Sequence, residues 1–91
     1  MEKMYRRFWF EFEISNAFKY PPGIGIGLGV TALSFNDAVE LMDAKVFLKV
    51  KRPPFKKVIE DVDIRTLDQG HVIPNMKPVI FRGIWFPLGY D

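Results

Sequence analysis

The sequence contains no cysteine, which excludes disulfide bonds, thiolate nucleophiles and zinc sites built on sulfur. It has a single histidine, His71, and only two serines, Ser15 and Ser34. Neither serine lies in the Gly-x-Ser-x-Gly elbow that activates a nucleophile in the α/β-hydrolases. The dinucleotide motif G-x-G-x-x-G and the phosphate-loop ending Gly-Lys-Ser/Thr are missing as well. These absences remove the commonest sequence signatures of nucleophilic catalysis and nucleotide binding.

Long apolar runs are also missing. Near the N-terminus, Phe8-Trp9-Phe10 is followed by Glu11 and Glu13, so this stretch is too short for a signal peptide or a membrane span. We therefore expect a cytoplasmic protein without a membrane partner. Its 91 residues suit a single domain over 1–91. Because 48% of the residues are hydrophobic and 15% are aromatic, the sequence predicts an ordered core rich in aromatic side chains.

Two strands are predicted in the first third of the chain. Apolar and polar residues alternate from Tyr5 to Ile14, which predicts a strand with Phe8 on one face and Trp9 on the other. A loop with two prolines follows over Asn16–Gly23. A second strand is predicted over Ile24–Leu33. Its core face would carry Ile24, Ile26, Leu28, Val30 and Ala32.

The opposite face of that second strand carries glycine at every second position from Gly23 to Gly29. One interpretation is a trough beside Trp9 that receives a flat ligand or a neighbouring backbone. The other is that aromatic side chains from an adjacent strand fill the space, as they do when a sheet compensates for glycine. We favour the aromatic filling.

A helix is predicted to begin after Ser34, whose hydroxyl is suited to cap the amide of Asp37. Apolar residues then recur with a period of 3.6, and the helix is predicted to end near Leu48, before Pro53. The apolar stripe consists of Phe35, Ala38, Val39, Met42 and Val46.

Two further strand regions complete the prediction. The first is Val58–Arg65, and the second, Val79–Phe86, forms either one strand bent at Gly83 or two short strands. The order is strand, strand, helix, strand, strand. This order predicts an α+β fold, a mainly antiparallel sheet of about four strands with one amphipathic helix packed on one face.

The group most worth testing for catalysis consists of one histidine and three acids. His71 is a candidate base, and carboxylates near it are candidate ligands for a divalent cation. A metal normally needs three or four ligands and no second histidine exists, so we favour an ordinary loop histidine and predict no metal and no cofactor. The alternative function is a small metal-dependent enzyme using Asp61, Asp63, Asp68 and His71.

Other acidic residues and the tryptophans suggest a binding surface. Glu11 and Glu13 share one strand face, and Asp61 and Asp63 share another, so neighbouring strands would bring four acids together. Near the C-terminus, Trp85 or Phe86 either points outward as an interface anchor or closes the core. The candidate partner-binding residues are Trp9, Glu11, Glu13, Asp61, Asp63 and Trp85.

A basic run from Lys45 to Lys57 has no acid within it. It offers a second alternative, RNA binding, with Phe55 available to stack on a base. The chain lacks the ribonucleoprotein and KH signatures and its net charge is only +2, so nucleic acid is the least favoured partner. The candidate contacts are Lys49, Lys51, Arg52, Lys56 and Lys57.

Three segments, 29–38, 63–76 and 82–87, give the chain a resemblance to a group of short, stand-alone bacterial proteins of unassigned activity. This resemblance implies a bacterial, cytoplasmic setting, and it carries no catalytic residues over to this chain. In size and character the chain also resembles the immunity proteins that neutralise bacterial toxins. We therefore predict a non-enzymatic module that binds a protein partner or another copy of itself through an exposed sheet face or edge.

Overall fold

The computed structural model describes residues 4–14 and 20–90, and these residues form a small α+β fold. The predicted fold class and order of elements are confirmed. Residues 15–19, which include the first part of the predicted loop Asn16–Gly23, lie outside the described residues. The main elements are β1 (Arg6–Phe12), β2 (Leu28–Ala32), α1 (Phe35–Lys45), β3 (Phe55–Glu60) and β4 (Gly83–Phe86).

The four strands form one antiparallel sheet in the order β3-β1-β2-β4. Arg6 lies opposite Ala32 in β2, and Phe8 lies opposite Glu60 in β3. The even-numbered phenylalanines of β1 are buried on the face covered by α1, as the alternation predicts. There they pack with Leu28, Val30, Ala38 and Met42.

The helix begins as predicted because the side chains of Ser34 and Asp37 both accept hydrogen bonds from backbone amides at its N-terminus. The Ser34 hydroxyl accepts a hydrogen bond from the amide of Asp37 at 3.1 Å. The Asp37 carboxylate in turn accepts one from the amide of Leu33 at 2.9 Å. The helix ends at Lys45 rather than near Leu48, and Phe47 turns back into the core against Phe12.

Strand β2 is shorter than predicted. It begins at Leu28 rather than Ile24, because Gly23 and Gly27 have φ values of +90° and +150° that are incompatible with an extended strand. The intervening chain forms turns. Ile24 is nevertheless buried, whereas Ile26, predicted on the core face, is 44% exposed.

The bounds of β3 and β4 also differ from the prediction. β3 spans Phe55–Glu60 rather than Val58–Arg65, because Asp61 adopts a left-handed conformation with φ of 54° and ends the strand. β4 begins only at Gly83, where the predicted bend lies. The residues between these strands form a long connection with two short 3₁₀ turns, Ile64–Thr66 and Ile73–Asn75.

That connection covers the second face of the sheet. Val62, Leu67 and Val72 are buried against Trp9 and Trp85 in a second apolar cluster. The expectation of one exposed sheet face is therefore wrong, since the helix covers one face and the connection covers the other. In the part of the chain that the structure describes, β3 is an edge strand without a neighbour on its outer side.

Candidate protein-binding surface

The two tryptophans are structural residues of the second cluster. Trp9 is 3% exposed and Trp85 is 1% exposed, so neither indole is available to a partner in this conformation. Phe86 is buried as well, and of the two arrangements left open for the C-terminal aromatics the structure has the one that closes the core.

The glycines of the second strand accommodate these indoles. A Cβ on Gly27 would overlap the ring of Trp9, and a Cβ on Gly29 would overlap the ring of Trp85. The two indoles stack with ring centroids 6.0 Å apart. The favoured interpretation of the glycine pattern, aromatic filling from neighbouring strands, is thus correct for these two positions.

The four predicted partner-binding acids do not converge. Although β1 and β3 are neighbours, they run antiparallel, so Glu11 lies opposite Lys57 while Asp61 lies near Arg6 at the other end. The Asp61 carboxylate is 2.7 Å from the Arg6 guanidinium, whose hydrogen bond lowers the pKa of Asp61. Glu13 follows β1 at the far end of the sheet. Whether these acids contact a partner stays a prediction.

The group proposed for a metal-dependent enzyme is likewise dispersed. Asp63 is held by Arg65 at 2.9 Å, while Asp68 pairs with His71 at 3.2 Å. Asp68 also accepts hydrogen bonds from the amides of residues 70 and 71, which lower the pKa of its carboxyl. Among the described residues no three acidic or histidine side chains are placed to hold a metal ion. Asp68 therefore orders the loop around His71 through contacts with its ring and with its backbone amide.

The basic run is spread over three elements. Lys45 lies in the last turn of α1, Lys49 and Lys51 lie in the loop that follows, and Lys56 lies in β3. Arg52 is bound by both carboxylate oxygens of Asp43 at 2.6 and 2.7 Å, with its guanidinium over the ring of Phe55. Lys57 lies opposite Glu11 in the β1–β3 ladder.

An open groove of about 440 Å³ lies where the C-terminal end of α1 approaches the last residues of the chain. Burial raises the pKa of Tyr90, whose hydroxyl donates a hydrogen bond to the carbonyl of Pro22 at 2.8 Å. This hydrogen bond joins two of the residues that line the groove. Residues that line the groove include Tyr20, Pro21, Pro22, Lys45, Lys49 and Tyr90.

A cluster of exposed apolar side chains lies at one end of the sheet, and we call it the sheet-end patch. Antiparallel pairing brings the start of β1, the end of β2 and the start of β4 together, because Arg6 lies opposite Ala32 and Thr31 lies opposite Gly83. Five of the eleven large exposed hydrophobic residues in the described chain flank these strand ends. They are Met4, Tyr5, Leu33, Ile80 and Phe81.

Polar contacts fix the backbone segments that carry the sheet-end patch. Arg82 donates hydrogen bonds to Asp37 through both Nε, at 2.9 Å, and a terminal nitrogen. The same carboxylate accepts from the Leu33 amide, and the hydroxyl of Thr31 donates to the carbonyl of Val79 at 2.5 Å. The pKa of Asp37 is lowered, chiefly by its hydrogen bond with Arg82. These bonds hold the segment before β4 against the end of β2.

Sequence reasoning missed the main members of the patch. Ile80 and Phe81 are 71% and 67% exposed, although their β-branched and aromatic character placed them in a predicted strand. The sequence does contain a signal against a regular strand here. Pro78 lies shortly before these residues and Arg82-Gly83 directly after them, and both proline and glycine limit regular strand pairing.

Comparisons with protein-family models, curated proteins and solved structures found no match to this chain. None of the described helices has the length and apolar character needed to cross a bilayer.

Proposed function

We propose that this protein is a non-enzymatic module that binds a protein partner through the sheet-end patch. The observation that carries the proposal is the grouping of large exposed apolar side chains at one end of a well-packed sheet. Large apolar side chains grouped in this way on a surface mark interaction sites, whereas single exposed apolar residues are ordinary.

The surroundings of the patch support a protein partner. Two ion pairs border it, Arg6 with Asp61 on one side and Arg82 with Asp37 on the other. An apolar centre with a polar rim is typical of protein interfaces. One predicted partner-binding acid, Asp61, thus lies at this end of the sheet, and Asp63 follows it closely in the chain.

The most concrete form of this proposal is an immunity-type protein that neutralises a bacterial toxin. Its support is the small size of the chain and the lack, among the described residues, of a grouped set of acids and histidine that could hold a metal ion, in which the chain resembles toxin-neutralising proteins. Co-expression with the product of a neighbouring gene tests this form, because the chain should restore growth that the neighbour inhibits.

The binding surface is tested by charged substitutions within the patch. Ile80→Asp and Phe81→Asp place a carboxylate in the proposed contact, while both side chains are exposed in the free protein. We expect each variant to keep the far-UV circular dichroism spectrum and to weaken co-purification with the partner roughly 30-fold or more, as for an interface hot spot.

Leu88→Asp is the matched control, since Leu88 is 51% exposed but follows β4 at the opposite end of the sheet. It should leave partner binding close to wild type. Equal loss of binding for Leu88→Asp and Phe81→Asp would place the contact elsewhere and contradict the proposal.

A further inference from the structure

The end of the sheet opposite the sheet-end patch brings several chain segments together. Antiparallel pairing places the ends of β1 and β4 beside the starts of β2 and β3. The C-terminal end of α1 lies here as well, since Phe47, just after the helix, packs against Phe12 at the end of β1. The open groove between α1 and the last described residues of the chain therefore belongs to this end.

The lysines at this end carry charge that the described chain does not neutralise. The lysines of the helix end, of the loop after it and of β3 form no ion pair with any carboxylate in the described part of the chain. They are Lys45, Lys49, Lys51, Lys56 and Lys57. Among the acids nearby, Asp43 is bound to Arg52 and Glu11 to the indole of Trp9. The described residues at this end thus have an excess of positive charge.

The groove combines hydrogen-bond donors with apolar surface. Lys45 and Lys49 line it, and its described lining residues include no carboxylate. Tyr20 also lines it, is 42% exposed, and forms no hydrogen bond through its hydroxyl to another described residue. Leu48, which is 70% exposed, supplies apolar surface. A ligand that matches the groove must therefore offer negative charge and an apolar group together.

From these observations we infer that the groove binds an acidic segment of another protein, in which carboxylates flank an apolar side chain. The carboxylates pair with Lys45 and Lys49, and the apolar side chain lies against Leu48 and Tyr20. An open groove suits an extended peptide, whereas a small-molecule site encloses most of its ligand. The surrounding positive charge favours the encounter with an acidic partner.

A second copy of this chain is a poor source of the acidic segment. Its densest run of acids, 60–63, is already engaged, because Asp61 is bound to Arg6 and Asp63 to Arg65. Another copy would have to give up its own ion pairs to occupy the groove. A different protein with free carboxylates has no such cost.

A nucleic acid also matches the groove less well. Phe55, the ring available to stack on a base in the sequence analysis, lies under the guanidinium of Arg52 at 5.2 Å and packs against Phe10 at a centroid distance of 5.1 Å. Single-stranded nucleic acid is bound by cations that follow its backbone and by exposed rings that stack on successive bases. Here aliphatic residues separate Lys45 from Lys49 in the sequence. A protein segment is therefore the favoured occupant.

Fluorescence anisotropy with labelled peptides tests the inference. The acidic probe consists of repeated Glu-Glu-Leu units, and its neutral counterpart consists of Gln-Gln-Leu units. We expect wild-type protein to bind the acidic peptide roughly tenfold or more tightly than the neutral one, with binding that weakens as salt is added. The double variant Lys45→Glu with Lys49→Glu should lose this preference and bind a Lys-Lys-Leu peptide instead, which would also show that it is folded.

Lys56→Glu with Lys57→Glu is the matched control, because it makes the same change in net charge at exposed positions that do not line the groove. It should weaken binding of the acidic peptide by less than about threefold. Equal losses for the two double variants would overturn the inference. So would no binding of the acidic peptide, equal binding of the neutral one, or tighter binding of an oligouridylate.

The groove and the sheet-end patch are tested separately. Phe81→Asp should leave the acidic peptide bound, since Phe81 precedes β4 at the other end of the sheet. Leu88, the control position for the sheet-end patch, does not line the groove. Failure of one proposal therefore leaves the other standing.

Discussion

At the scale of single residues, the buried indoles explain the glycine at positions 27 and 29. Each indole lies over a glycine and leaves no room for a Cβ. Trp9 donates its indole N–H to the carboxylate of Glu11 at 3.0 Å, which satisfies the polar end of a buried ring. The indole nitrogen of Trp85 has no acceptor among the described residues. Trp85 therefore stabilises the fold through the packing of its ring and not through a hydrogen bond.

Gly29→Ala should destabilise the protein by about 1–3 kcal/mol, because the new methyl group overlaps the six-membered ring of Trp85. Trp85→Phe shortens the side chain, so the double variant should lose less stability than the sum of the two single changes. Urea unfolding of the four proteins measures this coupling. Gly25→Ala is the control from the same glycine series, since its Cβ would lie 3.9 Å from Tyr20, and its effect should stay within about 0.5 kcal/mol. Strictly additive losses would contradict the explanation.

At the scale of elements, local signals predicted the helix start, whereas contacts distant in sequence determined the strand bounds. Ser34 and Asp37 act within four residues, so their capping is visible in the sequence. The end of β3 depends on Asp61, whose carboxylate is held by Arg6 from 55 positions away. The burial of Trp85 likewise depends on Gly29 and on the connection that covers the second face. A single sequence contains no direct signal of such pairings, which is why the cover over the second sheet face was not predicted and the position of Trp85 was left open.

Asp37 joins three elements, and its ionisation should be visible in the pH dependence of stability. The hydrogen bond from Arg82 lowers the pKa of this carboxyl in the folded protein. Its contribution is therefore fully present above about pH 4, the ordinary range of the unfolded side chain, and is lost as the pH falls through the lowered pKa. Asp37→Asn should reduce the free energy of unfolding by about 1 kcal/mol at neutral pH. The difference from wild type should vanish in strong acid.

Asp43→Asn provides the comparison, because Asp43 forms its ion pair with Arg52 at a side-chain exposure of 50%. Exposed pairs of this kind contribute little, so this variant should unfold almost as wild type does. Thermal unfolding followed between pH 2 and pH 7 distinguishes the two. A difference between wild type and Asp37→Asn that stays constant over that range would show that ionisation of Asp37 is not responsible.

At the scale of the whole molecule, both sheet faces are used for packing, which leaves the strand ends and the sheet edges for recognition. The helix and the long connection each bury one face. The sheet-end patch lies where β1 begins, β2 ends and β4 begins, so a partner bound there contacts one end of the sheet rather than either face.

The most direct test of the proposed binding surface is site-specific photo-cross-linking in the cells that naturally express this protein. A photoreactive amino acid is placed at position 81 in the patch or at position 88 at the opposite end, and irradiation captures whatever lies in contact. We predict a discrete adduct with a second protein from position 81, none from position 88, and loss of the adduct when Ile80→Asp is added. An absence of adduct from position 81, or the same adduct from both positions, would contradict a binding surface at this end of the sheet.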